Sequence, residues 1–153
     1  PVSWARMSTL GTKEKVLLVD GNNVVHAWKD LADLLRGNRN LARLELCKRL
    51  TSYQDIADFA RVVVVFDGRG SKIQEESIPK GIQVFYSDSK RTADDVIERF
   101  VHKYATIYSL IVATDDVMEQ DAVIAAGAEA ISTNALLQSV NQAESQFRSR
   151  WQL

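Results

Sequence analysis

The chain has 153 residues, 46% of them hydrophobic, and a formal net charge of −1. This length and composition predict one globular domain with a core that folds without a metal or a disulfide. The balance of 19 basic and 20 acidic residues excludes a histone-like nucleic-acid coat, and the single cysteine excludes an intramolecular disulfide. We expect Cys47 to be a small core residue and the protein to reside in a reducing interior such as the cytoplasm.

The start of the chain carries no structural pattern. Residues 1–14 show no hydrophobic periodicity, and we expect them to be a disordered, processed or cloning-derived arm. The sequence also lacks an apolar run of membrane-spanning length and the apolar stretch of a signal peptide, which predicts a soluble protein. The fold is therefore expected within residues 15–153, as a single domain.

Short runs rich in β-branched residues alternate with longer helical patterns. The predicted strands are 16–19, 62–66, 82–86, 110–114 and 129–132, and the predicted helices are 41–60, 92–105, 117–126 and 134–150. Three of the runs are continuously apolar, which is typical of strands covered on both faces in a parallel sheet. The alternation predicts a three-layer α/β sandwich with a mostly parallel central sheet of about five strands.

Two predicted helices carry apolar stripes that indicate their inward faces. The first stripe consists of Leu41, Leu44, Leu50, Tyr53, Ala57 and Ala60, and the last helix presents Leu136, Leu137, Val140, Ala143 and Phe147. Between them, the segment 68–81 is rich in glycine, serine and charge and directly follows a strand. That composition predicts a mobile loop in a position where α/β proteins place functional residues.

Acidic residues recur at the carboxyl ends of the predicted strands, where ligands bind in open α/β sheets. Asp20 and Asp67 follow the first two strands, Asp94 and Asp95 open the helix after the third, and Asp115 and Asp116 follow the fourth. Structural roles are also open to them: turns for Asp20 and Asp67, a capping box of Thr92 with Asp95, and a helix N-terminus for Asp115 and Asp116.

A cation accounts for the convergence of these acids. Two carboxylates about 4 Å apart repel by about 4 kcal/mol at an effective dielectric constant of 20, so an uncompensated cluster is costly. The chain has no second cysteine and no histidine pair at metal-binding spacing, and oxygen ligands favour Mg²⁺ or Mn²⁺ over Zn²⁺. Such a site indicates phosphate-ester hydrolysis by metal-activated water.

Polar and basic residues flank the predicted acidic rim and are candidates for substrate binding. They are Asn23, Arg69, Lys72, Lys90, Arg91 and Thr114. The structural alternatives are a turn or cap for Asn23, an N-cap for Thr114 and solvated surface charges for the rest. We expect Trp28 to pack in the core and His26 to be a satisfied polar residue, with base stacking as the alternative for both.

The blocks VDGNNVVHAW, VVFDGRG, TADDVIERFV and VATDDVMEQDAVIAAGA resemble, in this order and spacing, the YacP-like group of NYN-domain nucleases in the PIN-like superfamily. The resemblance covers residues 15–137. It implies a PIN-like fold and a metal-dependent endoribonuclease that uses Mg²⁺ or Mn²⁺ to cleave single-stranded RNA. Similar members are bacterial or organellar, which implies a cytoplasmic, stromal or matrix location, and messenger RNA at the ribosome is an expected substrate.

Carried over by motif, the resemblance implies four catalytic acids: Asp20, Asp67, Asp94 and Asp116. It places the family's asparagine at Asn23. The expected metal ligands are Asp20, Asp94, Asp95, Asp115 and Asp116, with Asp94 preferred over its neighbour and Asp116 over Asp115. Two positions depart from the family pattern: Asn22 stands where tyrosine is common, which affects substrate grip, and Asp115 replaces the usual serine, which adds a charge beside the site.

Three other functions compete with the nuclease hypothesis. A catalytically weak RNA- or ribosome-binding module would keep the fold and the basic residues. A haloacid-dehalogenase phosphatase needs a second aspartate two residues after the nucleophile, where this chain has Asn22. A receiver domain needs an acidic pair on the first strand, where Asp20 stands alone.

Overall fold

The computed structural model of the chain describes residues 12–76 and 81–151. Its strands are β1 (Lys15–Asp20), β2 (Arg61–Gly70), β3 (Gln74–Glu75), β4 (Gln83–Asp88), β5 (Ser109–Ala113) and β6 (Glu129–Ile131). Its helices are α1 (Gly21–Ala27), α2 (Lys29–Gly37), α3 (Arg39–Ile56), α4 (Ala93–Tyr104), α5 (Val117–Ala125) and α6 (Thr133–Trp151).

The strands form one six-stranded sheet in the order β3-β4-β2-β1-β5-β6. Every neighbouring pair is parallel except β3 with β4, which is antiparallel. The predicted mostly parallel α/β sandwich is confirmed. The additional strand, β3, is a two-residue polar segment, and its sequence carries no apolar pattern that predicts a strand.

Alternate residues of the central strands enter two separate cores, one on each face of the sheet. On β1, Leu17 and Val19 pack with residues of α1, α2, α3 and α6, whereas Val16 and Leu18 pack with residues of α4 and α5. Both sets are almost completely buried. Burial on both faces explains why β1 and β2 read as unbroken apolar runs.

The helical stripe predicted over 41–60 is wrong at its start, and the helix ends before its predicted end, although Ala57 packs against the core as expected. Leu41 and Leu44 are 50% and 65% exposed, and α3 instead buries Ala42, Leu46, Cys47, Leu50 and Tyr53. The helix ends at Ile56 and is followed by Asp58, which has a left-handed φ of 58°. Cys47 is buried, as predicted.

The last helix begins close to its predicted start, and most of its predicted inward face is confirmed. Leu136, Val140 and Ala143 are buried, and Leu137 packs against the same core. Phe147 was expected to face inward but is 49% exposed. It lies near the end of α6, where its ring is tilted against that of Trp151 with 6.3 Å between the centroids.

The helices α1 and α2 were not predicted, because each is shorter than ten residues and interrupts the segment between two stronger patterns. Gly21 permits α1 to start directly against β2. A Cβ atom at this position would lie 2.4 Å from the Phe66 ring, closer than any real contact. The chain therefore turns from β1 into α1 without a connecting loop, with Asp20 as the N-cap residue.

The predicted mobile loop over 68–81 is partly regular structure. β2 continues to Gly70 and β3 follows at Gln74, while residues 77–80 lie outside the described part of the chain. Residues 1–11 of the predicted arm lie outside it too. Lys13 and Glu14 both contact the domain. Lys13 Nζ donates a hydrogen bond to the Ala105 carbonyl, and the Ser109 amide donates one to the Glu14 carbonyl. Within the described ranges, none of the helices combines the length and apolar character needed to cross a membrane.

Candidate metal centre

Three carboxylates from different elements meet at the carboxyl end of the sheet. Asp20 is the last residue of β1, while Asp94 and Glu119 lie in the first turns of α4 and α5. One oxygen from each lies within 4.8 Å of the others. Asp20 and Glu119 are only 7% and 2% exposed, so this acidic cluster is largely removed from solvent.

The electrostatics of the acidic cluster favour protons or a cation. Burial raises the pKa of Asp20 to about 6; the Asn23 amide opposes this rise, and the charges of Asp94 and Asp67 add to it. Burial also raises the pKa of Glu119 to about 9, and close contact with the Asp94 carboxyl adds to the rise. Both shifts show that charge on these groups is costly without a compensating partner.

One oxygen of Glu119 has no donor. Thr114 Oγ1 donates to Glu119 Oε2 at 3.0 Å, whereas Glu119 Oε1 is buried and accepts no hydrogen bond from a neutral or cationic group among the described residues. The close neighbours of this carboxyl are those of Asp20 and Asp94, which offer it a hydrogen bond only through a shared proton. A buried polar atom without a partner is rare and calls for a physical explanation. Three carboxylates with hard oxygen ligands, one of which has a buried oxygen without a donor, fit a divalent cation of the Mg²⁺ or Mn²⁺ type.

Three other acids that were predicted as ligands accept hydrogen bonds from backbone amides at the starts of helices. Asp95 forms a capping box with Thr92, as the sequence suggested. Asp116 Oδ1 accepts hydrogen bonds from the amides of Met118 and Glu119. These two carboxylates and that of Asp115 do not belong to the acidic cluster. Metal coordination by these three acids therefore stays a prediction.

The carboxylate of Asp115 ties the end of β5 to the start of α6. It accepts hydrogen bonds from the amide of Thr133 at 2.8 Å and from its hydroxyl at 2.6 Å. In turn, the Asp115 amide donates to Asn23 Oδ1 at 2.8 Å. Asn23 thus connects α1 to the loop after β5, and its side-chain oxygen is used inside the protein.

Asp67 lies beside the acidic cluster rather than within it. Its Oδ1 accepts a hydrogen bond from the Ala93 amide at 3.0 Å, which anchors the start of α4 next to Asp94. Its own amide donates to Asn22 Oδ1 at 3.0 Å. The side chain is exposed, and its charge contributes to the raised pKa of Asp20.

The remaining predicted site residues divide into one internal residue and four surface residues. Thr114 is completely buried, and its hydroxyl also accepts a hydrogen bond from the Asp116 amide. The four basic residues are exposed: Arg69, Lys72, Lys90 and Arg91. Among them, Arg91 forms a salt bridge to the buried Asp88 at 3.8 Å.

Trp28 packs in the core, as predicted. It is almost completely buried, and its Nε1 donates to the Thr133 carbonyl at 2.9 Å. His26 is exposed on α1, with Nδ1 2.7 Å from the Asn22 carbonyl. Because a carbonyl only accepts hydrogen bonds, that contact assigns the proton to Nδ1.

Sequence reasoning missed Glu119. It stands three residues after the helix-capping Asp116, where a glutamate usually completes a capping box and faces solvent. Its signal was its place in the first turn after a strand, the same place that made Asp94 a candidate. Burial, which only the fold provides, distinguishes Glu119 from an ordinary capping glutamate.

Comparison with known proteins identifies the family of the chain. Residues 17–152 match the family model of the YacP-like NYN domain. The chain is 34% identical over 137 residues to YacP of Bacillus subtilis (strain 168), covering 88% of this chain and 80% of that protein.

Two crystal structures of Rae1 (YacP) from Bacillus subtilis share the fold. A single-substitution variant superposes with a TM-score of 0.78 at 32% identity, covering 89% of this chain and 80% of that one. The second structure gives a TM-score of 0.75 at 33% identity, covering 88% and 78%. The chain belongs to the YacP-like NYN domain family, which is a family of RNase-like domains.

Proposed function

We propose that the protein is a metal-dependent endoribonuclease that hydrolyses phosphodiester bonds of single-stranded RNA. The observation that carries the proposal is the unsatisfied buried oxygen of Glu119 beside Asp20 and Asp94. In an RNase-like domain, an acidic cluster at the carboxyl end of a parallel sheet is suited to a divalent cation and a phosphate.

Asp20, Asp94 and Glu119 are the residues that would hold Mg²⁺ or Mn²⁺. When bound, such an ion supplies a water activated at neutral pH and stabilises the charge that develops on the phosphate. Asp116 joins the ligand set in this proposal through its second oxygen, Oδ2, since Oδ1 accepts the hydrogen bonds from the amides of α5. Asp67 lies next to the site and orients the first turn of α4.

Residues around the acidic cluster fix its geometry. Thr114 holds one oxygen of Glu119, and Asn23 donates its amide to Asp20 Oδ1 at 3.2 Å. Asp95 and Asp115 act by holding α4 and α6 in place. Each ligand carboxylate is therefore oriented by a neighbouring hydrogen bond or helix, as metal sites require.

Exposed basic residues near the site would contact the RNA backbone. Lys90 and Arg91 precede α4, and Arg69 and Lys72 lie at and beyond the end of β2. Contacts from such side chains to phosphates position a strand without reading its sequence. Messenger RNA, including RNA presented by a ribosome, is the proposed substrate.

The proposal is tested by cleavage of a labelled single-stranded RNA with Mn²⁺ or with a chelator. We expect cleavage only with the metal, and a loss of roughly 100- to 1,000-fold in Asp20→Asn and Glu119→Gln, because these variants remove charge-stabilising groups. The matched control is Asp121→Asn, which changes an exposed acid on the same helix as Glu119.

Two results would contradict the proposal. Cleavage that persists in the chelator excludes metal-activated water as the nucleophile. RNA binding without cleavage by the unmodified protein would indicate instead the RNA- or ribosome-binding module that the sequence left open.

A further inference from the structure

A second concave site lies beside the acidic cluster. It is a cavity of about 260 Å³ between α1, the junction of α2 with α3, and the end of β2. Val25 and Leu35 provide apolar lining. Its polar lining consists of Asn22, His26, Arg39, Arg43, Asp67 and Arg69, and we call this cavity the arginine pocket.

The arginine pocket carries uncompensated positive charge. Arg39 and Arg69 form no salt bridge with any acid in the described ranges, in contrast to Arg49, which pairs with Asp30 and Glu45. Among the described residues that line the pocket, Asp67 is the one acid, and it already accepts a hydrogen bond from the start of α4. The pocket therefore attracts an anion.

Arg43 is held in place before any ligand binds. Its guanidinium lies 4.8 Å from the ring centroid of Phe66 and 5.5 Å from that of Tyr86. Its Nη2 donates to the Asp67 carbonyl at 3.4 Å, which leaves other donors of the planar group available. A stacked guanidinium with free N–H groups is suited to phosphate oxygens.

Asp67 and Asn22 join the arginine pocket to the acidic cluster. Asn22 lies two residues after Asp20. The Asp67 amide donates a hydrogen bond to the Asn22 side chain, and the Asp67 carboxylate accepts one from the amide of Ala93, the residue before Asp94. The two sites thus share one wall at the same edge of the sheet. A strand of RNA at the acidic cluster would place a neighbouring linkage near the arginine pocket.

We propose that the arginine pocket binds a phosphate of the RNA strand next to the linkage held at the acidic cluster. This inference rests on the proposed function. Arg39, Arg43 and Arg69 contact the phosphate oxygens. The cavity is slightly smaller than the range of about 300–1,000 Å³ that is usual for small-molecule sites, and this size suits one phosphate with its sugar. The pocket fixes the position of the strand and is indifferent to base identity.

The first test measures binding of a short fluorescein-labelled oligouridylate by anisotropy in a chelator, so that the acidic cluster contributes no metal-dependent binding. We expect the double variant Arg39→Gln/Arg69→Gln to bind at least about tenfold more weakly than the unmodified protein. The slope of log K against the logarithm of the salt concentration should become shallower by about 0.7 for each lost phosphate contact. Arg148→Gln, which changes an exposed arginine of α6, is the matched control and should bind as the unmodified protein does. The variants should have the same melting temperature as the unmodified protein, both without Mn²⁺ and with it. This agreement establishes that the fold and the acidic cluster are intact.

The second test locates the contact. A single uncharged methylphosphonate is moved along the oligouridylate, and we expect one position to weaken binding by the unmodified protein but not by the double variant. Equal losses in both proteins at every position would overturn the inference.

The outcomes separate the two proposals. Metal-dependent cleavage by a protein whose arginine variants bind RNA normally overturns the arginine pocket alone. Weakened binding by the variants of a protein that does not cleave supports the pocket and contradicts the nuclease. A protein that neither binds nor cleaves RNA overturns both.

Discussion

Two groups of acids lie at the same edge of this sheet and differ in what surrounds them. Asp95, Asp115 and Asp116 are exposed, and each accepts hydrogen bonds from backbone amides at the start of a helix. Asp20, Asp94 and Glu119 are more buried and have one another as close neighbours. At this edge of the sheet, the burial and the partners of a carboxylate, rather than its place after a strand, decide how costly its charge is.

Physical chemistry explains the difference between the two groups. An exposed acid at a helix N-terminus gains from the helix dipole and from amide donors while water solvates its remaining oxygen. An acid in the acidic cluster loses water and gains like charges, which raises the pKa values of Asp20 and Glu119. The exposed acids stabilise the starts of helices, whereas charge on the buried acids is costly, and a bound metal ion would offset that cost.

The largest expected effect is a fall in stability of the metal-free protein between about pH 4 and pH 9. Above the ordinary pKa values of 3.8 and 4.5 the unfolded chain loses protons, whereas folded Asp20 and Glu119 keep them up to about pH 6 and pH 9. The free energy of unfolding therefore falls as the pH rises, by on the order of 3 kcal/mol for Asp20 alone. Thermal melting from pH 4 to pH 9 measures the effect.

Mn²⁺ should counteract this fall, and more strongly at pH 8 than at pH 5, since it competes with protons for the same oxygens. Glu119→Gln is the control, because it removes the group with the higher pKa and should flatten the pH dependence. A melting temperature that rises steadily up to pH 9 without metal would show that the acidic cluster carries no such cost.

The next effect concerns the residue that orients Glu119. Thr114→Val removes the hydroxyl that donates to Glu119 Oε2, and we expect Mn²⁺ affinity to fall by about 10- to 100-fold, as for other groups that hold a metal ligand. Calorimetric titration with Mn²⁺ measures the change. Thr133→Val is the matched control: it is also a buried threonine, but its hydroxyl donates to Asp115. Equal losses in the two variants would mean that Thr114 acts only through the fold.

The smallest effect tests the capping group. Asp115→Ala removes both hydrogen bonds to the start of α6, and we expect a loss of about 1–2 kcal/mol in the free energy of unfolding, the usual cost of a lost cap. Urea unfolding measures it, with Asp121→Ala as the control. We expect Mn²⁺ affinity to change less than in Asp94→Asn; a comparable loss would instead place Asp115 among the ligands.

Much of the fold could be predicted because its signals are local. The continuous apolar runs of β1, β2 and β5 and the capping box at Thr92 are visible in short stretches of sequence. The helix α3 shows the limit: Leu41 and Leu44 fit an apolar stripe, yet they face solvent because the sheet meets the other side of the helix. Amphipathic periodicity indicates a helix but does not fix which of two overlapping stripes is buried.

The sequence predicted where the candidate site lies, at the carboxyl end of the sheet, but it did not predict the full set of residues that cluster there. Asp20 and Asp94 were identified from strand ends and motif resemblance, and both lie in the acidic cluster. Glu119 was missed, and so was the arginine pocket, because Arg39 and Arg43 belong to a helix whose distance from β2 the sequence does not give.

By itself, the sequence determined the α/β alternation, the family and the edge of the sheet at which acidic residues collect, since each depends on patterns within a few turns or strands. Only the tertiary structure decided which carboxylates lose water and face one another and which are held by helix amides. That choice depends on burial and on contacts between residues about 25 to 100 positions apart, such as Glu119 with Asp20 and Asn23 with Asp115.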